Sequence, residues 1–402
     1  MEQRQSPWLY GAPLAEGQME KEISVCLIGH KFMGKAHNHA YSNVSHYFDT
    51  PFKVVKKVLC GKGDDLKDTA ARWGWNESCP SWEDVVQRKD IDVIDIAAPS
   101  TLHKEITLAA AKASKHVLCE KPLALSLADA REMYSAVQQA GVKHTVGFNY
   151  RKVPAIGLAR QLIEEGALGS LFHFRGIYSQ DWLVDPSFPL AWRLRKKDAG
   201  GGASWDMGAH VIDLARYLVG DLAEVVGMQN TFIQDRPIAV TEDGLSAVAG
   251  KQRGVVDVDD TTSVLARFKS GALGLLQTTR LGTGHRNENR IEVNGSKGSF
   301  IFNMEKMNEL EFFSVEDQRN IQGFRRIQVT DSCHPYTKNW WPVGHLIGFG
   351  DTFVNEIYDF LLAIAEDRPA EPSFLDGLKV QAILEAIDQS IVSRRLTEVG
   401  DL

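Results

Sequence analysis

The sequence predicts an α/β protein in which a doubly wound parallel sheet is followed by an α+β region with a large, mostly antiparallel sheet. Short apolar runs alternate with helical stretches up to about residue 148, as in parallel sheets whose strands are joined by helices. Beyond Tyr150 many runs alternate apolar and polar residues, which is typical of strands with one exposed face. The length of 402 residues favours two domains over one.

The elements of the first region are predicted from apolar runs and capping signals. A strand at 23–28 precedes a helix that begins near Phe32. The clearest helix follows Ser126, which has capping-box spacing to Asp129, and it ends before Gly141, where a C-terminal cap belongs. The other buried strands are predicted at 52–59, 93–98, 116–119 and 144–148.

The second region is predicted to open with a helix at 154–166. The Asn294-Gly295 dipeptide stands between two alternating runs and predicts the turn of a β-hairpin. Ser373 and Asp376 have the spacing of a capping box and open a long last helix. Further strands are predicted at 171–178, 263–268 and 272–279.

Composition and charge exclude several classes of protein. A formal net charge of −7 argues against a nucleic-acid binder, because such proteins need a basic surface. No run of about 18 apolar residues is present, and the first residues lack the features of a signal peptide. Five scattered cysteines indicate neither a disulfide framework nor a zinc site. A cytoplasmic protein without membrane or nucleic-acid partners is predicted.

The chain is predicted to consist of an N-terminal arm or leader at 1–22, a Rossmann dinucleotide-binding domain at 23–149 and an α+β domain for substrate binding and oligomerisation at 150–402.

The first candidate binding loop is Gly29-His-Lys-Phe-Met-Gly34, between the first strand and its helix. Glycines at such a turn let the backbone approach a pyrophosphate at a helix N-terminus. Lys31 replaces a glycine of the dinucleotide fingerprint, so an ordinary strand-to-helix turn is the alternative. After the second strand, Asp64 and Asp65 either bind the ribose of NAD or cap the next helix, and capping is the preferred interpretation.

Lys121 follows a buried strand, within the segment Cys119-Glu120-Lys121-Pro122. The carboxyl ends of parallel strands border the crevice in which doubly wound folds bind ligands. A desolvated lysine in that crevice assists proton transfer or, as a cation, stabilises a developing alkoxide. The alternative is a solvated surface lysine.

Asp206 and His210 are four residues apart and follow three glycines at 200–202. On one helix this spacing places both side chains on the same face. A carboxylate there fixes the tautomer of an imidazole that accepts a proton. The alternative to a catalytic pair is a hydrogen bond between the two side chains on the helix surface. The three glycines predict close approach of a substrate or cofactor.

Two possible metal sites are rejected, and no metal is predicted. His37 and His39 are two residues apart on a helix and therefore point to different sides. Asp257, Asp259 and Asp260 are predicted to form a solvated turn rather than a calcium site.

Five motifs occur in order along the chain: Gly29-x4-Gly34-x2-His37, Ala98-Pro-Ser-Thr-Leu-His103, Glu120-Lys121-Pro122, Gly147-Phe-Asn-Tyr-Arg151 and Asp206-x-Gly-x-His210. Together they resemble the glucose–fructose oxidoreductase/inositol dehydrogenase family, also called Gfo/Idh/MocA, over about residues 23–395. The resemblance implies a Rossmann domain followed by an open-faced sheet domain, with the substrate between them. It also implies a homodimer or homotetramer.

The same resemblance implies a catalytic set of Lys121, Asp206 and His210. His210 is expected to take the hydroxyl proton as general base, Lys121 to polarise the oxygen, and Asp206 to position the substrate or His210. Whether Lys121 or His210 is the final base stays open. The cofactor-binding residues implied are Gly29, Lys31, Phe32, Met33, Gly34, Pro99, Ser100, His103, Glu120 and Lys121.

Aromatic and cationic side chains near the catalytic set are candidates for substrate binding. Trp182, Trp192 and Arg193 suit stacking on, and hydrogen bonding to, a pyranose ring. Lys121, Asp206 and His210 are expected to bind the substrate as well. The alternative is that these tryptophans fill the core between the domains. A further candidate group for the same pocket is Trp340, Trp341 and His345.

The activity expected from the resemblance is oxidation of a secondary hydroxyl of a sugar, glycoside or cyclitol, with NAD preferred and NADP left open. Dehydrogenation of levoglucosan, a glucoside or an inositol is the nearest expectation within the family. One alternative is an enzyme that uses retained NAD transiently for elimination or hydrolysis of a glycoside. Another is a sensor that binds dinucleotide and sugar without turnover.

Overall fold

A computed structural model describes residues 21–243 and 246–400. Most of the predicted N-terminal arm or leader at 1–22 lies outside the described residues. Within them, the chain forms a parallel sheet, a large mixed sheet and a separate two-stranded ribbon. The predicted combination of a Rossmann sheet and a mostly antiparallel sheet is confirmed.

The strands of the first sheet are β1 Glu22–Ile28, β2 Lys53–Cys60, β3 Glu77–Cys79, β4 Val93–Ile96, β5 His116–Cys119 and β6 His144–Val146. All their pairings are parallel, and the spatial order is β3-β2-β1-β4-β5-β6. From β1, successive strands are added first on one side, as β2 and β3, and then on the other side, as β4, β5 and β6, so the strand order reverses between β1 and β4. In doubly wound folds, ligands bind beside the carboxyl ends of the strands at that point.

Helices cover both faces of this sheet, and they are α1 Phe32–Tyr47, α2 Leu66–Trp73, α3 Trp82–Val86, α4 His103–Lys112 and α5 Leu127–Ala140. The predicted signals of α5 are confirmed: Ser126 Oγ accepts the Asp129 N–H at 3.1 Å, and Gly141 ends the helix at a φ of 65°. Asp65 stands at the cap position of α2 but makes no side-chain cap. Its backbone is already helical there, so the capping interpretation of Asp65 is wrong.

The strands of the second region are β7 Leu171–Ser179, β8 Leu222–Asn230, β9 Asp235–Asp243, β10 Ser246–Val255, β11 Thr261–Phe268, β12 Leu273–Thr279, β13 Glu288–Gly295, β14 Gly298–Asn303, β15 Glu309–Ser314, β16 Arg325–Gln328 and β17 Thr397–Glu398. β9 and β10 form the antiparallel ribbon. The others form one sheet in the order β16-β15-β14-β13-β7-β12-β11-β8-β17. Only β7 and β12 pair in parallel among its described strands.

The predicted hairpin joins β13 and β14, but its turn is not at Asn294-Gly295. Asn294 pairs with Ser299 inside the ladder, so the two residues between the strands are Ser296 and Lys297. Gly295 is needed for a different reason, because a side chain there would collide with the Leu168 carbonyl oxygen. The dipeptide therefore reports a close backbone approach rather than a turn.

The helices of the second region are α6 Pro154–Glu164, α7 Lys196–Ala199, α8 Ala203–Asp206, α9 Gly208–Leu218, α10 Phe349–Ala365 and α11 Phe374–Ser393. The last two return to the first sheet, where α10 packs on α1 and α11 packs on α5. Ser373 and Asp376 form the predicted capping box of α11. None of the helices in the described residues is long and apolar enough to cross a bilayer.

The contact between α10 and α1 encloses the carboxyl group of Glu356. This side chain is 2% exposed, and neither carboxyl oxygen has a hydrogen-bond partner among the described residues. Burial, with the nearby Glu120 carboxylate as the second cause, raises the pKa of Glu356 to about 8. At neutral pH the buried group is therefore mostly protonated.

We expect Glu356 to make the protein less stable as the pH rises. Because the folded-state pKa of about 8 exceeds the ordinary value of 4.5, the folded state binds more protons between these values. The free energy of unfolding then falls by a few kcal/mol across that window, since one pKa unit corresponds to about 1.4 kcal/mol. Urea unfolding of Glu356→Gln and wild type at pH 5, 6.5 and 8.5 should show the variant gaining relative stability with pH. The expectation is contradicted if the variant and wild type differ in free energy of unfolding by the same amount at every pH. It is also contradicted if the exposed control Glu366→Gln gains stability with pH to the same extent.

Candidate active site

A cavity of about 920 Å³ lies where the carboxyl ends of the first sheet face the second region. Its wall contains most of the residues that the sequence singled out, from both predicted domains. They are Gly29, Lys31, Phe32, Met33, Pro99, Ser100, His103, Glu120, Lys121, Trp182, Trp192, Arg193, Asp206 and His210. A cavity of this size can hold a small ligand beside a cofactor's reactive end.

The loop from Gly29 to Gly34 joins β1 to α1 at one end of this cavity. Gly29 has a φ of +116°, a conformation that suits glycine. Gly34 does not line the cavity; a side chain on it would collide with the Gly29 carbonyl oxygen, so its role is close packing of α1 against the loop. Lys31 provides no side-chain cap, and no acidic residue lies in the first turn of α1. The helix N-terminus therefore fits the pyrophosphate of a dinucleotide.

The carboxyl end of β2 closes the same end of the cavity. Gly61 and Lys62 line it, whereas neither Asp64 nor Asp65 does. The Asp65 carboxylate instead lies 3.1 Å from His30 Nε2 and 3.1 Å from Lys31 Nζ. Asp65 thus holds the glycine loop in place.

His103 and Glu120 connect the loops around the cavity. The ring of His103 places Nδ1 3.0 Å from the Pro122 carbonyl oxygen and Nε2 3.1 Å from the Ala98 carbonyl oxygen. Glu120 Oε2 accepts the backbone N–H of Lys121 at 3.1 Å. Two motifs that are separate in sequence, Ala98–His103 and Glu120–Pro122, therefore form one connected wall.

The Asp206 carboxylate lies between two cations that come from different sheets. Lys121 Nζ donates to Oδ1 at 2.9 Å, and the guanidinium of the fully buried Arg280 donates to Oδ2 at 3.1 Å. Burial alone would raise the pKa of Asp206, but Lys121, Arg280 and Arg193 outweigh it and hold that pKa well below its usual value. Asp206 is therefore a carboxylate over the whole physiological range.

His210 faces the cavity with an uncharged ring. It stacks on Tyr150 at a centroid distance of 4.3 Å and touches Phe148 with an edge. Burial and then the Lys121 cation lower the pKa of His210 well below its usual value, against the opposing effect of Asp206. Its Nδ1 has no hydrogen-bond partner in the part of the chain that the structure describes.

The predicted pairing of Asp206 with His210 on one helix is wrong. α8 ends at Asp206 and α9 begins at Gly208, so Met207 separates two short helices. No hydrogen bond joins the two side chains within residues 21–243 and 246–400. Asp206 satisfies its two oxygens with the cations instead, and it acts on Lys121 rather than on the imidazole tautomer.

The glycines at 200–202 accommodate protein groups rather than a ligand alone. Side chains at the first two would collide with the ring of Trp205, and one at the third with the backbone of Asp259. The Asp259 carboxylate accepts the N–H and the hydroxyl of Ser204, each at 2.9 Å. Asp259 is 4% exposed and Asp260 is fully buried, so the prediction of a solvated turn is wrong for both. Asp259 fixes the segment that presents Asp206.

A chain of hydrogen bonds that the sequence analysis missed forms the wall beside His210. Tyr150 and Tyr178 join their hydroxyls at 2.7 Å, and the Tyr178 hydroxyl donates to Asn287 Oδ1 at 2.8 Å. Gln180 donates to the same Asn287 oxygen at 2.7 Å and accepts the indole N–H of Trp182 at 2.9 Å. Two sequence signals exist for this wall: Tyr150 belongs to the motif Gly147-Phe-Asn-Tyr-Arg151, and the alternation of β7, continued by one residue, places Tyr178 and Gln180 on one face.

The predicted aromatic candidates divide into two groups. Trp182, Trp192 and Arg193 line the cavity, and the Arg193 guanidinium lies 4.3 Å from the ring centre of Trp192. Trp340, Trp341 and His345 do not line it; the two tryptophans pack on Tyr47 of α1, so their assignment to this pocket is wrong. Apolar rings alone do not distinguish a ligand wall from helix packing.

Two family models match this chain. The model of the oxidoreductase family with an NAD-binding Rossmann fold, GFO/IDH/MocA, matches residues 23–148. The model of the GFO/IDH/MocA C-terminal domain matches residues 156–301. The two matches fall on either side of the cavity.

Characterised proteins and solved structures resemble the chain over nearly its whole length. The levoglucosan dehydrogenase of Pseudarthrobacter phenanthrenivorans is 42% identical, covering 95% of this chain and 99% of its own. The myo-inositol 2-dehydrogenase of Thermotoga maritima is 27% identical, covering 84% and 89%. A levoglucosan dehydrogenase solved with NADH and levoglucosan superposes with a TM-score of 0.90 at 41% identity, covering 95% of this chain and 100% of its own. An oxidoreductase domain protein from Kribbella flavida superposes with a TM-score of 0.91 at 44% identity, with the same coverage.

We expect the pKa of His210 to rise when Lys121 is replaced by methionine, because the ammonium disfavours a second positive charge beside it. Histidine proton–carbon NMR spectra recorded against pH would measure this, with the His210 signal assigned by its loss in His210→Gln. Arg286→Ala, which removes another cation from the cavity wall, serves as the control. An unchanged His210 titration in Lys121→Met contradicts the electrostatic coupling.

Proposed function

This chain belongs to the GFO/IDH/MocA family of oxidoreductases, and from that premise we propose that it is a dehydrogenase of levoglucosan or a related anhydrosugar or pyranose. The general activity is NAD-dependent oxidation of a secondary hydroxyl of a sugar or cyclitol. The observation that carries the narrower proposal is the meeting of Lys121, Asp206 and His210 in one cavity of a chain 42% identical to a levoglucosan dehydrogenase.

NAD, when bound, supplies the acceptor for a hydride from the substrate carbon. The chain's own part is to hold the pyrophosphate at the N-terminus of α1 with the loop 29–33. Pro99, Ser100, His103, Glu120 and Lys121 border the path from that loop to His210 and are proposed to position the rest of the dinucleotide.

We assign the proton transfer to His210. Its ring is neutral and lines the cavity, so it accepts the proton of the substrate hydroxyl. Lys121 is paired with the Asp206 carboxylate and donates a hydrogen bond to the same substrate oxygen, where negative charge develops. Arg280 holds the Asp206 carboxylate, which in turn holds the ammonium of Lys121 in place.

The wall of Tyr150, Tyr178, Gln180 and Asn287 favours a small ring with several hydroxyls. These side chains already fix one another by hydrogen bonds, so their remaining donors and acceptors point in set directions. A site built in this way rejects analogues that lack the matching hydroxyl, because its buried polar groups are then left unpaired. The ring of Trp182 supplies an apolar surface beside them.

The two alternatives are less well supported. A sensor without turnover does not need a neutral imidazole beside a lysine paired with a carboxylate, yet all three are present. A lyase or hydrolase with retained NAD uses the same fold, but the levoglucosan dehydrogenase and the myo-inositol 2-dehydrogenase, which match most of the chain, are both named as dehydrogenases.

A cytoplasmic location is proposed from the cysteines. Cys26, Cys60 and Cys119 are buried thiols, and the described residues contain no disulfide. Buried thiols of this kind are typical of proteins from a reducing compartment.

A homodimer or homotetramer is proposed from the uncovered face of the second sheet. Met228, Leu265, Leu273 and Leu275 point to this face on three adjacent strands, with Met228 79% and Leu265 59% exposed. The opposite face is covered by α9 and α11. A contiguous apolar patch on a sheet is typical of a subunit interface.

The dehydrogenase proposal predicts a rise in reduced-nicotinamide absorbance when the protein is mixed with NAD and levoglucosan or a related sugar. Lys121→Ala and His210→Ala should each lower kcat by about 100-fold or more, since a positioned proton-transfer group contributes that much. Lys112→Ala and His46→Ala, both on exposed helix positions, should retain wild-type rates.

The proposal fails if no sugar or cyclitol in a broad panel yields reduced cofactor although NAD binds saturably. Product formation without net NAD reduction would instead support the retained-cofactor lyase. Equal losses in the two control variants would show that the assay reports general instability.

The interface proposal predicts that Leu265→Glu lowers the mass measured by light scattering, because a carboxylate on the patch opposes its burial. Val392→Glu places the same charge on an exposed apolar position of α11 and should leave the mass unchanged. A wild-type protein that is monomeric at micromolar concentration contradicts the proposal.

A further inference from the structure

Behind the cavity wall, three ionisable side chains form a buried chain. His37 of α1 lies with Nδ1 2.9 Å from both oxygens of Asp95 on β4, and with Nε2 2.9 Å from Glu120 Oε1. Their exposed fractions are 1% for His37, 0% for Asp95 and 4% for Glu120. Buried charges are costly unless they are paired, so this arrangement needs a function or a strong structural reason.

The geometry fixes the charge of the imidazole. Both ring nitrogens face carboxylate oxygens, and both can donate only when the ring is an imidazolium. Burial alone would lower the pKa of His37, but the Asp95 carboxylate and the hydrogen bonds to both acids outweigh it and raise that pKa well above its usual value. Phe353 of α10 packs on the His37 ring at a centroid distance of 5.4 Å, and the protonated Glu356 of the same helix is close enough for its pKa to respond to the group.

Glu120 transmits this arrangement to the cavity. One carboxylate oxygen is held by His37, and the other accepts the backbone N–H of Lys121 at 3.1 Å. Gly147 closes the remaining side, because a Cβ atom there would lie 2.8 Å from Glu120 Oε1. The carboxylate therefore has one position, and so does the start of the Lys121 side chain.

We propose that His37 is a positioning residue for Lys121, which it holds through Glu120 at the place from which the ammonium reaches Asp206 and the substrate oxygen. This rests on the proposed function for the role of Lys121, although the structural coupling does not. The motif Gly29-x4-Gly34-x2-His37 thus connects the helix that borders the cofactor loop to the catalytic lysine. A misplacement of a catalytic group by about 1 Å is enough to lower a rate by about 100-fold.

The experiment compares His37→Gln with His39→Gln in the full chain. Glutamine at 37 cannot bridge both acids, whereas His39 is an exposed residue of the same helix whose ring lies 3.4 Å from Asp351. The first readout is the pKa of His210 by NMR, which depends on the nearby Lys121 cation. In His37→Gln it should rise toward the value in Lys121→Met, and in His39→Gln it should stay at the wild-type value.

The second readout compares the change in kcat with the changes in KM and in NADH affinity. His37→Gln should lower kcat by about 100-fold while KM for the sugar and the dissociation constant of NADH change by less than about threefold. Wild-type values of both the His210 pKa and kcat in His37→Gln overturn the proposal. Equal increases in KM and in the NADH dissociation constant also overturn it, because they indicate a general effect on the fold.

Glu120→Gln keeps the experiment decisive if His37→Gln does not fold. It removes the charge that His37 binds and should shift the His210 pKa in the same direction; an unshifted value overturns the proposal. The NMR readout needs no turnover. An inactive wild-type protein with the predicted His210 shifts would therefore refute the proposed function and leave the positioning role of His37 intact.

Discussion

The site depends on one electrostatic requirement: a partly buried carboxylate at the junction of two domains is stabilised in its charged form by cations around it. Asp206 meets this requirement with Lys121 from the end of β5 and Arg280 from the end of β12. The same pairs that stabilise the carboxylate join the first sheet to the second. Burial, and then the charge of Lys121, lowers the pKa of His210 and keeps its ring neutral. Burial, domain packing and the protonation states that catalysis needs are therefore set by one group of contacts.

Much of this could be predicted because the signals are local in sequence. Five of the six strands of the first sheet follow from short apolar runs, whereas the short edge strand β3, Glu77–Cys79, has no such run and is not predicted. The ends of α5 follow from Ser126 and Gly141, which act within one helical turn. Lys121 could be identified because a residue at the carboxyl end of a parallel strand points to the crevice. The family motifs added His103 and Glu120, which line the predicted cavity.

The errors share a physical cause: each depends on a partner that is distant in the chain. Arg280 follows an ordinary strand, and only its contact with Asp206 makes it part of the site. Asp259 resembles a solvated turn residue until the glycine segment folds onto it. Asn294-Gly295 matches a turn signal, yet the backbone near Leu168 explains the glycine. The four-residue spacing also predicts a pair of Asp206 with His210, whereas in the structure the carboxylate binds the cations of Lys121 and Arg280.

The return of α10 and α11 to the first sheet has a consequence for synthesis on the ribosome. All strands of that sheet emerge long before these helices, and domains tend to fold in the order in which they emerge. Until α10 arrives, α1 lacks the neighbour that covers it, and the apolar side chain of Phe48 lacks its ring partner Tyr358. Apolar surface of the nascent first domain therefore stays exposed to solvent until the last helices have been synthesised.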